Sequence, residues 1–307
     1  MKIIVTGATG FIGSHLVPAL RDRGDQVVVL ARDAARAKQE LGDVEAVTAD
    51  LQSKGAWWEA LSGVDAIIHL AGEPLAGKRW DARQKQKVRD SRVESTRTIV
   101  EAISMADPRP RALITASGVD YYPAELTETD WDDDEYAEKE PAGTTFLARL
   151  CRDWEHEALE AEKLGVRVVC MRTGLVLGKG GGAVSEMKRP FKLFAGGRLG
   201  SGRQWMAWIH LDDVVAGYIA AATDERYKGP INLVAGSTRN YDFARELGKA
   251  MHRPAWMPVP AFAIKAAVGA EFAESVLKGR RVVPAKLREL GFAWKYPTLD
   301  GALAASV

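Results

Sequence analysis

Thr6-Gly7-Ala8-Thr9-Gly10-Phe11-Ile12-Gly13 follows directly on the apolar run Ile3-Ile4-Val5. A strand that ends in a glycine turn and opens a helix leaves backbone N–H groups unpaired at the helix start. There the helix dipole favours an anion such as a pyrophosphate. The three glycines act differently. Gly7 permits the tight turn, Gly10 lets the backbone approach phosphate without an intervening Cβ, and Gly13 lets the helix pack closely on the strand. Phe11 to Arg23 reads as an amphipathic helix and Gln26 to Leu30 as a second apolar strand, completing a βαβ unit of about 30 residues. The stretch is therefore read as a dinucleotide-binding turn.

Outward from this unit, short β-branched runs alternate with helical patterns: Ala46 to Thr48, Ala66 to Leu70, Ala112 to Thr115 and Val166 to Met171. Such alternation predicts a parallel sheet with helices on both faces. Long helices are expected over Asp81 to Met105 and Thr144 to Leu164, the second ending at Gly165. Pro230 to Val234 is expected to close the far edge of the sheet. The fold class is thus α/β, a Rossmann-type doubly wound parallel sheet with a smaller C-terminal substrate-side lobe. Residues 1–177 and 209–236 are assigned to the nucleotide-binding domain, and 178–208 and 237–307, rich in Gly, Pro, Trp and basic residues, to the lobe. The acidic run Asp130 to Glu140 reads as a solvated loop.

Composition narrows the function. Forty-two basic against 41 acidic residues give a net charge of +1, so no electrostatic footprint for nucleic acid or an anionic membrane is present. The expected partner is a small-molecule substrate. No apolar run approaches the roughly 20 residues of a membrane span, and no signal-peptide pattern follows Met1, which points to a cytoplasmic location. Two cysteines, Cys151 and Cys170, exclude a disulfide scaffold, and five histidines without a close pair argue against a metal site.

The end of the second strand selects the dinucleotide. An acidic residue there would accept from the ribose hydroxyls, whereas an Arg would pair with a 2′-phosphate. The sequence reads Val29-Leu30-Ala31-Arg32-Asp33. Arg32 offers a planar charged fork, with Arg36 one turn further on, so NADP is expected over NAD. Asp33 also suits a helix N-cap. His69, at the end of a strand, reads as a satisfied structural residue.

The spacing G-x-x-G-x-x-G, in the wording GATGFIG, resembles the extended and atypical short-chain dehydrogenase/reductases. From Leu70 onward the wording is more specific: LAGEPLAGKRW (70–80), SRVEST (91–96), SGVDYYP (117–123), LCRDWE (150–155), MRTGLVLGKGGG (171–182), LGSGRQWMAWIHLDD (199–213) and GPINLVAG (229–236). Together these resemble the proteins labelled epimerase family, NAD-dependent epimerase/dehydratase-like. PVPAFAIK (258–265) and LKGRRVVPAKLRELGF (277–292) look like that family's own C-terminal segment. The resemblance implies NADP(H) held by Gly7, Gly10, Phe11, Ile12, Gly13, Ala31, Arg32, Leu70 and Ala71. It places Arg92 near the cofactor and Val176 on the nicotinamide side. Related proteins often dimerise through the helix pair at 81–105 and 144–164, so a homodimer is an expectation.

Catalytic members of the superfamily use a Tyr whose phenol is activated by a Lys four residues later. This chain departs from that pattern. With Glu155 as anchor, the two positions hold Leu147 and Cys151. Ser117, Tyr121 and Tyr122, after the fifth strand, are the candidate catalytic residues that would polarise a substrate oxygen. The Trp205 to His210 stretch with Arg203 is a candidate substrate frame, and Arg280 and Arg281 candidate anion contacts. Two readings follow: an NADP(H)-dependent oxidoreductase or epimerase-like enzyme acting on a carbonyl or carbinol carbon of a small, sugar-nucleotide-like substrate, or a non-catalytic NADP(H)-binding sensor. An open cleft with polar groups favours the first, and a cleft plugged by apolar side chains the second.

Overall fold

A computed structural model describes residues 1–75, 78, 80–123 and 133–307. Along the chain the elements run β1 (Lys2–Thr6), α1 (Gly13–Asp22), β2 (Gln26–Ala31), α2 (Ala34–Leu41), β3 (Glu45–Thr48), β4 (Ala66–His69), α3 (Ala82–Asp90), α4 (Val93–Met105) and β5 (Ala112–Gly118). There follow β6 (Glu135–Tyr136), α5 (Phe146–Leu159), β7 (Arg167–Thr173), β8 (Leu175–Leu177), α6 (Gly182–Lys192), β9 (Trp205–His210), α7 (Leu211–Thr223), β10 (Gly229–Leu233) and β11 (Gly236–Arg239). The C-terminal part adds α8 (Asn240–Ala250), α9 (Ala261–Val268), α10 (Ala270–Leu277), β12 (Arg281–Val282), α11 (Ala285–Glu289) and α12 (Leu299–Ser306).

Seven strands form one parallel sheet in the order β10-β7-β5-β4-β1-β2-β3. Its inner strands are buried on both faces, which is why they read as continuous β-branched runs rather than alternating ones. Ile3 and Val5 pack on one side with Leu16, Val17 and Leu20 of α1, while Ile4 and Ile67 pack on the other with Ile99 and Ile103 of α4. The chain reverses between β1 and β4, and ligands in open α/β sheets bind at the carboxyl ends beside such a switch. β10 takes the far edge, as its sequence predicts.

A second sheet, β11-β9-β8, carries the C-terminal lobe. Its strands come from 175–177, 205–210 and 236–239, so the expected boundary at 177/178 falls at the end of a strand of this small sheet. The helix expected over Asp81 to Met105 is two helices. Ser91 Oγ donates to the Val88 carbonyl and accepts the Glu73 amide, Ser95 Oγ donates to the Ser91 carbonyl, and the chain turns at Ser91-Arg92. Such local bonds compete with the helix ladder. The 144–164 segment forms α5 and a terminal 3₁₀ turn at 160–164, closed by Gly165 at φ 80°. Part of the acidic run, 130–132, and residues 76, 77 and 79 of the LAGEPLAGKRW motif lie outside the described residues.

Candidate active site

The glycine turn is shaped by close approaches. Gly7 adopts φ +65°, and a Cβ there would lie 2.7 Å from the Leu70 carbonyl carbon; one at Gly13 would lie 2.3 Å from the Gly7 oxygen. α1 begins at Gly13 with no side-chain cap and no acidic residue in its first turn, so its amide end is left for an anion. α2, α3 and α5, by contrast, are capped by Asp33, Asp81 and Thr145. Arg32 lies exposed just beyond β2, in no hydrogen bond or ion pair among the described residues, while Arg36 is paired to Glu40 at 2.7 Å. A cradle of glycines at an uncapped helix start beside a free guanidinium fits a dinucleotide carrying a 2′-phosphate.

Thr6 fastens this turn to the end of β4. Its Oγ1 accepts the amides of Leu70 and Ala71, both at 3.2 Å, and donates to Nδ1 of His69 at 2.7 Å. His69 Nε2 then donates to Ser95 Oγ at 3.2 Å. Burial, aided by the nearby Arg92 charge, pushes the imidazole down to about 3. His69 is a neutral structural residue. Arg92 is wedged beneath Gly72, its Nη1 donating to the carbonyls of Glu73 and Val88.

Below β5 and β7 lies a buried ionic floor. Arg172 donates to Glu155 through two parallel bonds, Nε to Oε1 and Nη2 to Oε2, each 2.8 Å. Its Nη1 reaches the Tyr122 hydroxyl at 3.0 Å and the Glu138 carbonyl at 3.1 Å, and its guanidinium stacks 3.4 Å over the Tyr121 ring. Ser117 Oγ donates to Glu155 Oε1 at 2.7 Å, and Tyr122 Oη to Asn232 Oδ1 at 2.7 Å. Asn232 in turn donates to the Val283 carbonyl, and Glu138 Oε1 accepts the amides of Asn232 and Lys286. The floor thereby ties the main sheet to the C-terminal segment.

These bonds change what the three candidate catalytic residues can do. Ser117 and Tyr122 line the cleft above the floor; Tyr121 does not, being stacked on Arg172. The Ser117 and Tyr122 hydroxyls, expected to polarise a substrate oxygen, already donate within the protein. Burial, outweighing the neighbouring Arg172, pushes the Tyr122 phenol up to about 12. It keeps its proton at neutral pH.

The cleft itself, of about 1140 Å³, is open. It starts at Phe11 and Ile12, passes Leu70, Gly72, Arg92 and Val176, crosses Ser117, Gly118 and Asp120, and ends against Trp80, Phe146 and Phe272. Trp80 stacks on Phe272 at 5.0 Å and meets Phe146 edge-on at 5.5 Å. Phe11 joins the two lobes, since a Cβ at Gly181 or Gly182 would lie 2.6 Å from its ring. Trp205 lines the cleft and Trp208 is buried, its Nε1 donating to Thr238 Oγ1. His210 caps α7, and Asp213 accepts the amides of Lys295 and Tyr296, pinning the C-terminal segment. Arg280 donates to the Pro123 carbonyl and Arg281 pairs with Glu135, so both are held by protein groups. A smaller cavity of about 350 Å³, among Met1, Asp65, Arg111 and Arg167, lies at the opposite end of the strands.

Sequence reasoning missed Asp120, Glu138, Asn232 and the Trp80–Phe272 wall. One signal was present: Glu155 lies on the α5 face that also carries Leu147, Leu150, Cys151 and Trp154, all buried. A charge there needs a buried partner. Among the described residues no helix is long and apolar enough to cross a membrane.

Residues 3–236 match the NAD dependent epimerase/dehydratase family, and residues 259–306 match DUF1731, a domain of unknown function. The chain is 41% identical over 308 residues to the Arabidopsis thaliana "Epimerase family protein SDR39U1 homolog, chloroplastic", covering 99% of this chain and 86% of that relative. It is 38% identical over 309 residues to the Bos taurus "Epimerase family protein SDR39U1", covering 99% and 98%. Its fold matches the crystal structure of human epimerase family protein SDR39U1 (isoform2) with NADPH at a TM-score of 0.87 and 33% identity, over 100% of this chain and 99% of that one.

Proposed function

The chain belongs to the NAD dependent epimerase/dehydratase family, with DUF1731 as its C-terminal segment, and from that premise we propose that it transfers hydride between NADP(H) and a carbonyl or carbinol carbon of a small substrate. The observation that carries this reading is the open cleft running from the glycine turn across polar groups to an aromatic wall. Gly7, Gly10 and Gly13 with the amide end of α1 hold the pyrophosphate, and Ala31 and Arg32 take the adenosine side. Arg32 meets the 2′-phosphate, while Leu70, Ala71 and Arg92 border the cofactor and Val176 faces the nicotinamide. The cofactor supplies or accepts the hydride. The chain's own residues orient the substrate oxygen. Ser117, Tyr121 and Tyr122 act through the floor, fixing Arg172 and Glu155 beneath the reacting atoms.

NADP preference follows from Arg32, and the human relative's structure with NADPH supports it. The test is titration with NADPH and NADH, followed by nicotinamide fluorescence, for wild type and Arg32→Ala. Wild type that prefers NADPH, with that preference removed by the substitution, is the expected result. No binding, or equal binding of both, overturns the assignment. A non-catalytic NADP(H) sensor is the second reading, favoured by the absent Tyr/Lys pair and by the occupied hydroxyls of Ser117 and Tyr122.

A further inference from the structure

Among the described residues, one carboxyl in the cleft has no side-chain partner. Asp120 sits on the turn after β5, and a Cβ built at Gly118 would lie 3.6 Å from its Oδ2 and 3.7 Å from Cys151 Sγ. The other acids lining the cleft are paired: Glu186 with Arg189 at 2.8 Å, Glu271 with Lys85 at 2.9 Å and Glu274 with Lys278 at 3.6 Å. Among the described residues no other side chain donates to Asp120, and only its own backbone amide favours its charged form.

The groups around it explain why. Glu155 and Arg172 neutralise each other, and Arg92 is spent on backbone carbonyls. Burial first, then Asp120 and Glu155, push the Cys151 thiol up to about 12, and the Tyr122 phenol stays protonated, so neither offers a compensating charge. Arg280 donates to the Pro123 carbonyl. Burial pushes the Asp120 carboxyl up to about 6. An unpaired carboxyl held in a cleft near working pH is suited to proton transfer, and it needs no neighbouring ammonium to reach that range.

We propose that Asp120 is the proton donor and acceptor of this cleft, in the place of the absent Tyr/Lys pair. The inference rests on the hydride-transfer reading. In reduction, the carbonyl carbon accepts hydride from the nicotinamide cofactor while its oxygen takes the proton of the Asp120 carboxylic acid. The C=O π bond is replaced by C–H and O–H bonds, the substrate is reduced and the cofactor oxidised. Asp120, left as a carboxylate, regains its proton from water in the open cleft. In oxidation the same carboxylate takes the hydroxyl proton.

Wild type and Asp120→Asn are compared in two ways. Without cofactor, thermal midpoints are followed from pH 7.5 to pH 4. A carboxyl raised on folding lowers stability as pH rises through its folded value, so the variant is expected to melt higher at pH 7.5, with the gap closing towards pH 4. A variant that melts lower at pH 7.5 shows a structural role and overturns the proposal. With NADPH and phenanthrenequinone, a flat apolar dicarbonyl suited to the Trp80–Phe272 wall, wild-type NADPH oxidation is expected to fall as pH rises through about 6. Asp120→Asn should bind NADPH with unchanged affinity and lose at least about a hundredfold in rate. Retention of rate within about threefold overturns Asp120 alone and leaves the hydride-transfer reading standing. Wild type that binds NADPH but leaves the quinone unreduced overturns both.

Discussion

The two halves of the cleft are held by different kinds of structure. At the glycine turn the site is backbone: an uncapped helix start, three glycines and a hydroxyl from Thr6, all within a short stretch of β1 and α1. Under β5 and β7 it is side chains: Glu155, Arg172 and Asn232 from α5, β7 and β10 and Tyr122 from the turn after β5, closed on one another. A backbone cradle is rigid because its neighbours leave no room for a Cβ. The floor is rigid only while every donor and acceptor keeps its partner. The first half therefore depends on Gly7 and Gly13 carrying no side chain, the second on every side chain keeping its partner.

The largest effect is expected in the floor. Arg172→Leu leaves Glu155 as an uncompensated buried charge, which costs about 3–5 kcal/mol. Denaturant unfolding should register that loss, and the double variant Arg172→Leu/Glu155→Leu should recover much of it by removing both charges. A single substitution costing under about 1 kcal/mol would mean that the pair is solvated like a surface bridge, and the contrast between the halves would fail.

The next test lies at the seam between them. An unfolded imidazole takes up a proton near pH 6.5, whereas buried His69 does so only at about 3. Between those values the unfolded state binds more protons. The contribution of His69 is therefore complete above pH 6.5 and declines as the pH falls towards 3, by about 1.4 kcal/mol per pH unit. Asp120 acts with the opposite sign, lowering stability as the pH rises towards its folded value of about 6. His69→Asn should flatten the acid slope of the unfolding free energy, whatever its effect at neutral pH.

This contrast also explains what could be read from the chain. The glycine turn was legible because its information is local: an apolar strand, the spacing of Gly7, Gly10 and Gly13, and the helix that follows. The parallel sheet was legible from its continuous apolar strands. The floor was not, because Asn232 and Tyr122 meet across 110 residues of chain. Ser117 and Tyr122 were found as cleft residues, yet nothing in their neighbourhood shows that Glu155 and Asn232 accept their protons. The break at Ser91-Arg92 was hidden by good helix formers on both sides, although Ser91 and Ser95 carried the competing bonds.

Smaller effects separate two adjacent residues at the end of β2. Asp33 caps α2, its carboxylate accepting the Arg36 amide at 2.9 Å, whereas Arg32 is bonded to nothing among the described residues. If the dinucleotide end is built from backbone and one free cation, the two should part cleanly. Arg32→Ala should weaken NADPH by about ten- to a hundredfold, the loss of a charge-assisted contact of about 1.5–3 kcal/mol, with NADH binding and stability unchanged. Asp33→Ala should lower stability by about 1 kcal/mol through the lost cap and keep the preference for NADPH. Thermal unfolding and fluorescence titration of the same two variants read both quantities. An Asp33→Ala protein that also lost its NADPH preference would mean that Arg32 is positioned by the α2 cap, and that even this local site depends on a side-chain contact.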